Sequence, residues 1–495
     1  MSNKKRGGLK VNGIASLIQQ LVAIACGLVI PKLILNAYGS AVNGLIATIT
    51  QYISFASIFQ GGLTSAVRVS FYKPLAADDS QQVSVVYKTA RTYFARFYAF
   101  VVFYILIIGL ILPSVTKVPF SRLDVFLLVA VIGLSSVFEY LFGMANQLLL
   151  FADQKAYVNT LLQAAATLLS AVVSGILITA GCSIILVKLA ASAALLLRPL
   201  FLNLYVRRNM NIDSTVSSDK SVLSQSNAAL VQSIAFYIHS STDTIVISSL
   251  MNVTWVSVYA VHKYAVGSIS ALVSAVLANT EATFGKLFAE RNGDLLKRIE
   301  RYDLISKWIT TVFFGTTIVL INQFVTVYTK GVTDAEYLQP LFATLYILGE
   351  MIYCLGLPYH NIIMATGHIK QTQWISTVEA ALNIVISVVL VNRFGIIGVA
   401  IGTLIAFLFN MLANFVYVQR NILKMSLLFL LKEFLSCVFS VVILKTVFDK
   451  VFGLSAANFI CFVVNGCIVF VSSLVITALV FGSLFPSMLK KIIHK

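Results

Sequence analysis

Residues 458–482 read NFICFVVNGCIVFVSSLVITALVFG, a run of 25 residues that contains no charged side chain. An α-helix rises 1.5 Å per residue, so about 20 apolar residues are enough to cross the ~30 Å hydrocarbon core of a bilayer. The apolar residues follow one another continuously instead of alternating with polar ones. This pattern indicates a membrane-spanning helix and argues against a barrel strand.

Similar runs recur along the whole chain. Hydrophobic residues make up 59% of the sequence and charged residues 11%, with a mean hydropathy of +0.90, whereas a soluble domain carries about 25% charged residues. The sequence therefore predicts an all-α polytopic membrane protein with about fourteen transmembrane helices. The predicted spans lie at residues 11–35, 41–66, 92–112, 125–150, 157–180, 183–206, 223–250, 256–280, 305–328, 338–364, 375–391, 395–418, 426–446 and 458–482.

The basic residues predict the orientation in the membrane. The net charge is +17, and an even number of spans places both termini on the same side. With the N-terminus inside, and with Lys307 and Lys445 at the edges of spans counted with the adjacent loops, the cytoplasmic segments hold 24 Lys and Arg residues and the outer loops hold 6. Cytoplasmic loops of membrane proteins carry this kind of excess. The positive charge thus indicates topology, and no nucleic-acid partner is expected.

The loops exclude several classes of protein. No segment between the predicted spans exceeds about 25 residues, which leaves no room for a soluble catalytic domain. No G-x-x-x-x-G-K-[ST] motif is present, and the six cysteines show no C-x-x-C spacing. We therefore expect a protein that is not an enzyme and has no cofactor, metal site or disulfide framework. Segment 286–303 mixes charged and apolar residues at helical spacing, which predicts an amphipathic helix that lies on the cytoplasmic face.

Two pairs of spans have the same layout. Spans 1–2 and spans 7–8 each have a very short outer turn and a basic inner end, which indicates a parallel internal repeat. The prediction is two pseudosymmetric six-helix lobes, at 1–210 and 211–420, followed by two additional helices and a short basic tail at 421–495.

Five segments carry a resemblance to a known family. They are NAYGSAVNGLIATITQYISF (36–55), FQGGLTSAVRVSFYKPLAADD (59–79), TDTIVISSL (242–250), LPYHNIIMATGHIKQTQWISTVEAALNIVISVVLV (357–391) and FGIIGVAIGTLIA (394–406). In this order they resemble the Wzx-like bacterial polysaccharide flippases of the multidrug/oligosaccharidyl-lipid/polysaccharide (MOP) superfamily. The resemblance implies two lobes around a central cavity.

The resemblance also implies a function. The expected substrate is an undecaprenyl-pyrophosphate-linked oligosaccharide, moved from the cytoplasmic to the outer leaflet of the bacterial cell membrane for O-antigen, capsule or exopolysaccharide synthesis. A proton or sodium ion, membrane lipids, a polysaccharide polymerase and other assembly proteins are the implied partners. The alternatives are a drug exporter of the same superfamily, and a membrane-embedded polymerase or acyltransferase. Polymerases of this pathway usually have a large outer loop, and the longest one here has about a dozen residues.

Charged residues inside spans are costly and mark candidate transport pathways. The candidate substrate-binding cations are Lys32, Arg68, Lys188, Arg198 and Lys263, and the candidate ion-coupling acids are Glu139, Asp243, Glu350 and Glu379. Each has a structural alternative. Long basic side chains near span ends can extend to the interface, which applies to all the cations except Lys263. Asp243 and Lys263 lie level on consecutive spans and can form an ion pair, and Glu379 can be solvated.

Arg68 is the strongest candidate for contact with pyrophosphate. It lies at the predicted cytoplasmic end of span 2, after the small residues of GGLTSA (61–66). A guanidinium binds phosphate through two parallel hydrogen bonds, which an ammonium cannot do. The alternative is a positive flank, for which lysine would serve equally well.

The first prediction concerns topology. Reporter domains fused after residue 495 or inserted in 281–304 should be cytoplasmic, and one inserted in 113–124 should be outside, because of the distribution of Lys and Arg. Enzymatic reporters active on only one side of the membrane measure this. An external C-terminus would contradict the even number of spans.

Overall fold

The computed structural model describes residues 3–116, 120–213, 215–219, 241–277, 295–423, 426–453 and 456–486, together with Phe284 and Phe288. This part of the chain is helical and contains no strand. Twelve of its helices are long and apolar enough to cross a membrane. The predicted all-α polytopic fold class is confirmed.

The chain divides into two compact units, Met1–Ser257 and Val258–Lys495. The helices of the first unit are α1 (Asn3–Ser54), α2 (Ile58–Ala76), α3 (Ser80–Val115), α4 (Arg122–Phe138), α5 (Met144–Ala152), α6 (Ala156–Thr179) and α7 (Ile184–Asn209). A 3₁₀ turn at Phe55–Ser57 precedes α2, and a π-helical turn at Glu139–Gly143 joins α4 to α5. Residues 241–250 are also helical.

Helix α8 (Val253–Leu277) begins in the first unit and continues into the second. The remaining helices belong to the second unit. They are α9 (Leu295–Tyr328), α10 (Pro340–Ala365), α11 (Ile369–Phe394), α12 (Ile396–Asn421), α13 (Leu427–Val447) and α14 (Phe459–Leu484). A π-helical turn, Phe448–Phe452, follows α13.

Two differences separate the fourteen predicted spans from the twelve observed helices. Helix α1 breaks at Gly39, whose φ of 82° lies in the left-handed region that glycine adopts without strain. The predicted span 41–66 therefore corresponds to the second half of α1, the 3₁₀ turn and the start of α2. The predicted span 223–250 lies mostly outside the described residues.

In the first unit, α1 packs on α6, α6 on α7, and α4 on both α3 and α7. Leu45, Phe71, Phe94 and Leu149 are fully buried in its core. At Gly44 the backbone carbonyl of Val253 comes so close that any Cβ atom would overlap it. Glycine at this position allows the start of α8 to pack directly against α1.

In the second unit, α12 packs between α10 and α11, and α9 contacts α10, α13 and α14. Of the most apolar 18-residue stretch of α9, 67% is buried. Helix α9 is thus a central helix of this unit, enclosed on several sides by other helices.

The start of α9 corrects one prediction. Segment 286–303 was expected to lie on the membrane surface as a separate amphipathic helix. Of this segment the structure describes Phe288 and residues 295–303, and the rest lies outside the described residues. Residues 295–303 are the first part of α9 and continue into the span without a break. Ile299 and Asp303 are both buried, because this end of α9 packs within the unit.

Candidate functional site

Arg68 lies on α2 and is half-buried. Its guanidinium carbon is 4.8 Å from the centre of the Phe151 ring, near the end of α5. A cation over an aromatic face is attracted by the electron density of the ring. This contact holds the side chain against α5, and the planar guanidinium keeps N–H groups available at its edges.

The other predicted cations lie in three different helices. Lys32 on α1 and Lys188 on α7 are half-buried. Lys263 on α8 belongs to the second unit, and its ammonium is 5.5 Å from the ring of Tyr259, one turn earlier in the same helix. Asp243 belongs to the first unit and is buried. The predicted pairing of Asp243 with Lys263 stays a prediction.

Two predicted residues, Glu139 and Arg198, come together in the first unit. Arg198 Nη1 lies 3.2 Å from Glu139 Oε2, and the side chains are 17% and 20% exposed. Arg198 also donates two hydrogen bonds, of 3.2 and 3.0 Å, to Asn159 Oδ1. Gln147 donates to Glu139 Oε1. Arg198 lies near the middle of α7, and its guanidinium is held by Glu139 and Asn159.

The π-helical turn positions Glu139 for these contacts. Glu139 is its first residue and Gly143 its last. A Cβ atom at Gly143 would overlap the Glu139 carboxylate. Glycine at this position therefore lets the Glu139 side chain lie along its own helix toward Gln147. Short π-helical turns occur often at functional sites. The π-helical turn and Arg198, which lies 59 positions later in the chain, thus both hold the Glu139 carboxylate in place.

A small polar cleft in the first unit was not predicted. Tyr87 Oη donates a 2.8 Å hydrogen bond to Asn146 Oδ1, and Asn146 Nδ2 donates one of 2.7 Å to the Phe142 carbonyl. Arg91 and Asn203 also line the cleft. The search for charges within spans could not find it, because tyrosine and asparagine are neutral and Arg91 lies in a predicted loop.

Both predicted acids of the second unit, Glu350 and Glu379, accept hydrogen bonds from neutral groups. Ser270 Oγ donates a 2.6 Å hydrogen bond to Glu350 Oε2, and Asn410 donates to Glu379 Oε2. Glu379 is 7% exposed, so the alternative of a solvated position is wrong. Its burial follows from the packing of α11 against α12, which carries Asn410.

The second unit also holds a buried charge cluster that was not predicted. It consists of Asp303 and Lys307 on α9, Tyr359 on α10 and Glu433 on α13. Lys307 Nζ donates to Asp303 Oδ2 at 2.8 Å, to Tyr359 Oη at 2.6 Å and to Glu433 Oε2. Tyr359 Oη in turn donates to Asp303 Oδ2 at 2.9 Å.

The cluster is buried and its charges do not cancel. The exposed fractions of the Lys307, Asp303 and Glu433 side chains are 3%, 1% and 0%. The ammonium uses its three donors on three different partners, whereas Asp303 Oδ1 and Glu433 Oε1 are buried and have no hydrogen-bond partner among the described residues. Two carboxylates therefore share one cation.

No protein-family model and no curated protein sequence matches the chain. Solved structures match it in fold. The lipid II flippase MurJ, in an inward closed conformation, gives a TM-score of 0.71 at 13% identity, covering 96% of this chain and 99% of that chain. Two structures of MATE family multidrug transporters of the MOP superfamily, one inward-facing and one outward-facing, are also similar.

The MATE structures cover less of the chain. The inward-facing one gives a TM-score of 0.55 at 17% identity and covers 82% of this chain and 96% of its own. The outward-facing one gives a TM-score of 0.57 at 15% identity and covers 84% of this chain and 95% of its own. At these identities the similarity is one of fold. The chain shares its fold with these flippase and multidrug-transporter structures.

The second prediction concerns the Glu139–Arg198 pair. Glu139→Gln and Arg198→Gln should each destabilise the purified protein by about 2 kcal/mol or more, because each leaves an uncompensated charge in the membrane. The double variant should lose less than the sum of the two, as expected for residues in contact. Thermal unfolding in detergent measures all four proteins. Additive losses would show that the pair contributes no coupling.

Proposed function

We propose that this protein is a flippase for an undecaprenyl-pyrophosphate-linked oligosaccharide, which it moves from the cytoplasmic to the outer leaflet by ion-coupled alternating access. The observation that carries this proposal is the fold similarity to a lipid flippase. It extends over 96% of this chain and 99% of that chain. The ordered sequence segments that resemble Wzx-like flippases support the same substrate class.

The chemistry of the substrate also fits the first unit. A pyrophosphate is anionic, and carrying it across hydrocarbon requires cations that water does not fully solvate. Lys32, Arg68 and Lys188 supply such cations on α1, α2 and α7. Arg198 is already neutralised by Glu139. We therefore assign Arg198 to holding Glu139 in position, and Arg68 to the first contact with the headgroup.

Ion coupling requires a carboxylate that can gain and lose a cation. Hydroxyl and amide groups stabilise a carboxylate without neutralising its charge. Glu350 and Glu379 accept hydrogen bonds from Ser270 and Asn410 and are our candidates in the second unit. In the first unit, Glu139 is a candidate whose charge Arg198 already balances, and Asp243 is a buried candidate.

A drug exporter of the same superfamily is the second candidate function. The similarity to MATE transporters favours it, although these match at lower TM-scores and over less of the chain. The basic side chains of the first unit favour an anionic solute over the cationic solutes of many exporters. A membrane-embedded polymerase or acyltransferase has less support, because the similar structures described above are those of a flippase and of multidrug transporters.

The third prediction tests the function. Deleting the gene in its host should abolish the surface polysaccharide and cause lipid-linked oligosaccharide to accumulate on the cytoplasmic side of the membrane. Extraction of the lipid fraction and analysis of its glycans by mass spectrometry measure this accumulation. Wild-type protein and the lipid-facing control Leu479→Ala should both restore export, since Leu479 is 68% exposed on α14. Normal glycans combined with new drug sensitivity would favour the exporter.

The fourth prediction concerns Arg68. Both Arg68→Lys and Arg68→Ala should reduce polysaccharide export about tenfold at matched protein levels, because one bidentate contact to a charged group contributes roughly 1.5–3 kcal/mol. Lys73→Ala is the matched control, since it removes an exposed cation from the same helix. Full export in Arg68→Lys with loss in Arg68→Ala would show that only the charge matters. Full export in both would leave Arg68 as an anchoring residue.

A further inference from the structure

The buried cluster of Asp303, Lys307, Tyr359 and Glu433 has a charge imbalance that needs an explanation. It contains two acidic groups and one basic group, and the three charged side chains are at least 97% buried. An unpaired charge in such surroundings costs several kcal/mol. Two like charges held by a single cation also repel each other at short range. The cluster is therefore more stable with one additional positive charge.

Two unpartnered carboxylate oxygens are available to such a charge. Asp303 Oδ1 and Glu433 Oε1 are buried oxygens with no hydrogen-bond partner among the described residues. Their sister oxygens both accept from Lys307. A proton placed on either unpartnered oxygen removes one negative charge and leaves the ammonium balanced by a single carboxylate.

A metal ion fits these surroundings poorly. The carboxylates are held together by the Lys307 ammonium, which occupies the place between them that a bound cation would take. A second full cation there would be repelled at close range, whereas a proton joins covalently to an oxygen and adds no separate ion. The described residues also contain no group of three or more His, Cys, Asp or Glu side chains suited to hold a metal.

We propose that Asp303 and Glu433, bridged by Lys307, form a site that binds one exchangeable proton. The proton comes from water and is added to one carboxylate oxygen, and it returns to water when the site is emptied. The proposal rests on the second unit alone, and it holds whichever molecule the protein transports. It places a proton site outside the set of acids that sequence analysis selected.

The other titratable groups near the cluster do not remove the imbalance. Glu300 and Tyr302 lie on the same helix, Tyr359 faces the cluster from α10, and α13 carries the exposed Lys432 and the buried Cys437. On α12, Phe415 packs on Tyr359. On α14, Thr477 accepts a hydrogen bond from Trp308 of α9. No cation other than Lys307 forms a salt bridge with Asp303 or Glu433 among the described residues.

The position of Glu433 gives the site a consequence for packing. Glu433 is the seventh residue of α13, and its bond to Lys307 is a direct polar link between α13 and α9. A proton on Glu433 weakens the attraction between Glu433 and Lys307. A proton on Asp303 instead leaves Glu433 as the charged carboxylate that Lys307 balances, so the attraction between Glu433 and Lys307 is stronger in that state. Occupancy of the site is therefore linked to how tightly α13 is held on the second unit.

The fifth prediction tests proton binding on the purified full-length protein in detergent. At neutral pH the folded protein keeps one proton on Asp303 or Glu433, whereas both acids release theirs to water in the unfolded chain. The free energy of unfolding should therefore fall as the pH rises. The wild-type melting temperature should drop by several degrees between mildly acidic and mildly alkaline buffer. Glu433→Gln should lose at least half of this drop, because the remaining Asp303 and Lys307 charges cancel. Glu336→Gln, which makes the same change at an exposed position of the second unit, is the matched control and should keep it.

Two further measurements make the outcome decisive. Infrared difference spectra between the two buffers should contain the carbonyl band of a protonated carboxyl group in the wild type, and this band should be missing in Glu433→Gln. Asp303→Asn serves as the second variant if Glu433→Gln does not fold. If the variant lowers the melting temperature by the same amount at every pH, relative to the wild type, the proposal is overturned and the cluster is only a structural link between α9 and α13. A sodium-dependent rise in wild-type melting temperature that Glu433→Gln abolishes would also overturn it.

Discussion

The hydrocarbon of the membrane offers no hydrogen bonds, and this constraint determines the rest of the structure. Backbone groups have to be paired within the chain, which makes every described span a helix. A side-chain charge is also stabilised there by a partner. Glu139 with Arg198 and Lys307 with its two acids are such partners in the two units. These buried charged groups are consequently held in small polar networks within the described part of the chain.

The sequence predicted the spans well because their signal is local. An apolar run of about 20 residues identifies a membrane helix without knowledge of its neighbours. The start of α9 was harder, because residues 295–303 mix charged and apolar side chains as a surface helix does. Whether Asp303 points to water or into the protein depends on Glu433 and Lys307, and Glu433 lies 126 positions after Lys307. No local pattern contains that information.

The candidate site was predictable only in part, for a related reason. Looking for charges inside spans selected Glu139 and Arg198, since such charges are rare and costly. Their pairing joins α7 to the π-helical turn and could not be read from the spacing of the two residues. Lys307 was overlooked because basic residues near span ends usually reflect topology. Tyr87 and Asn146 were overlooked because a neutral hydrogen-bonded pair has no distinctive composition.

The π-helical turn at Glu139–Gly143 has a consequence for the register of the helices that follow it. A π-helical turn holds one residue more than the corresponding α-helical turn, and each residue of an α-helix turns the chain by about 100°. Relative to an uninterrupted helix, α5 is therefore rotated by roughly that angle about its own axis. The rotation directs Gln147 toward Glu139 and Asn146 toward Tyr87. A homologous chain one residue shorter in this turn would keep the same apolar run, yet it would turn a different face of α5 toward both polar networks.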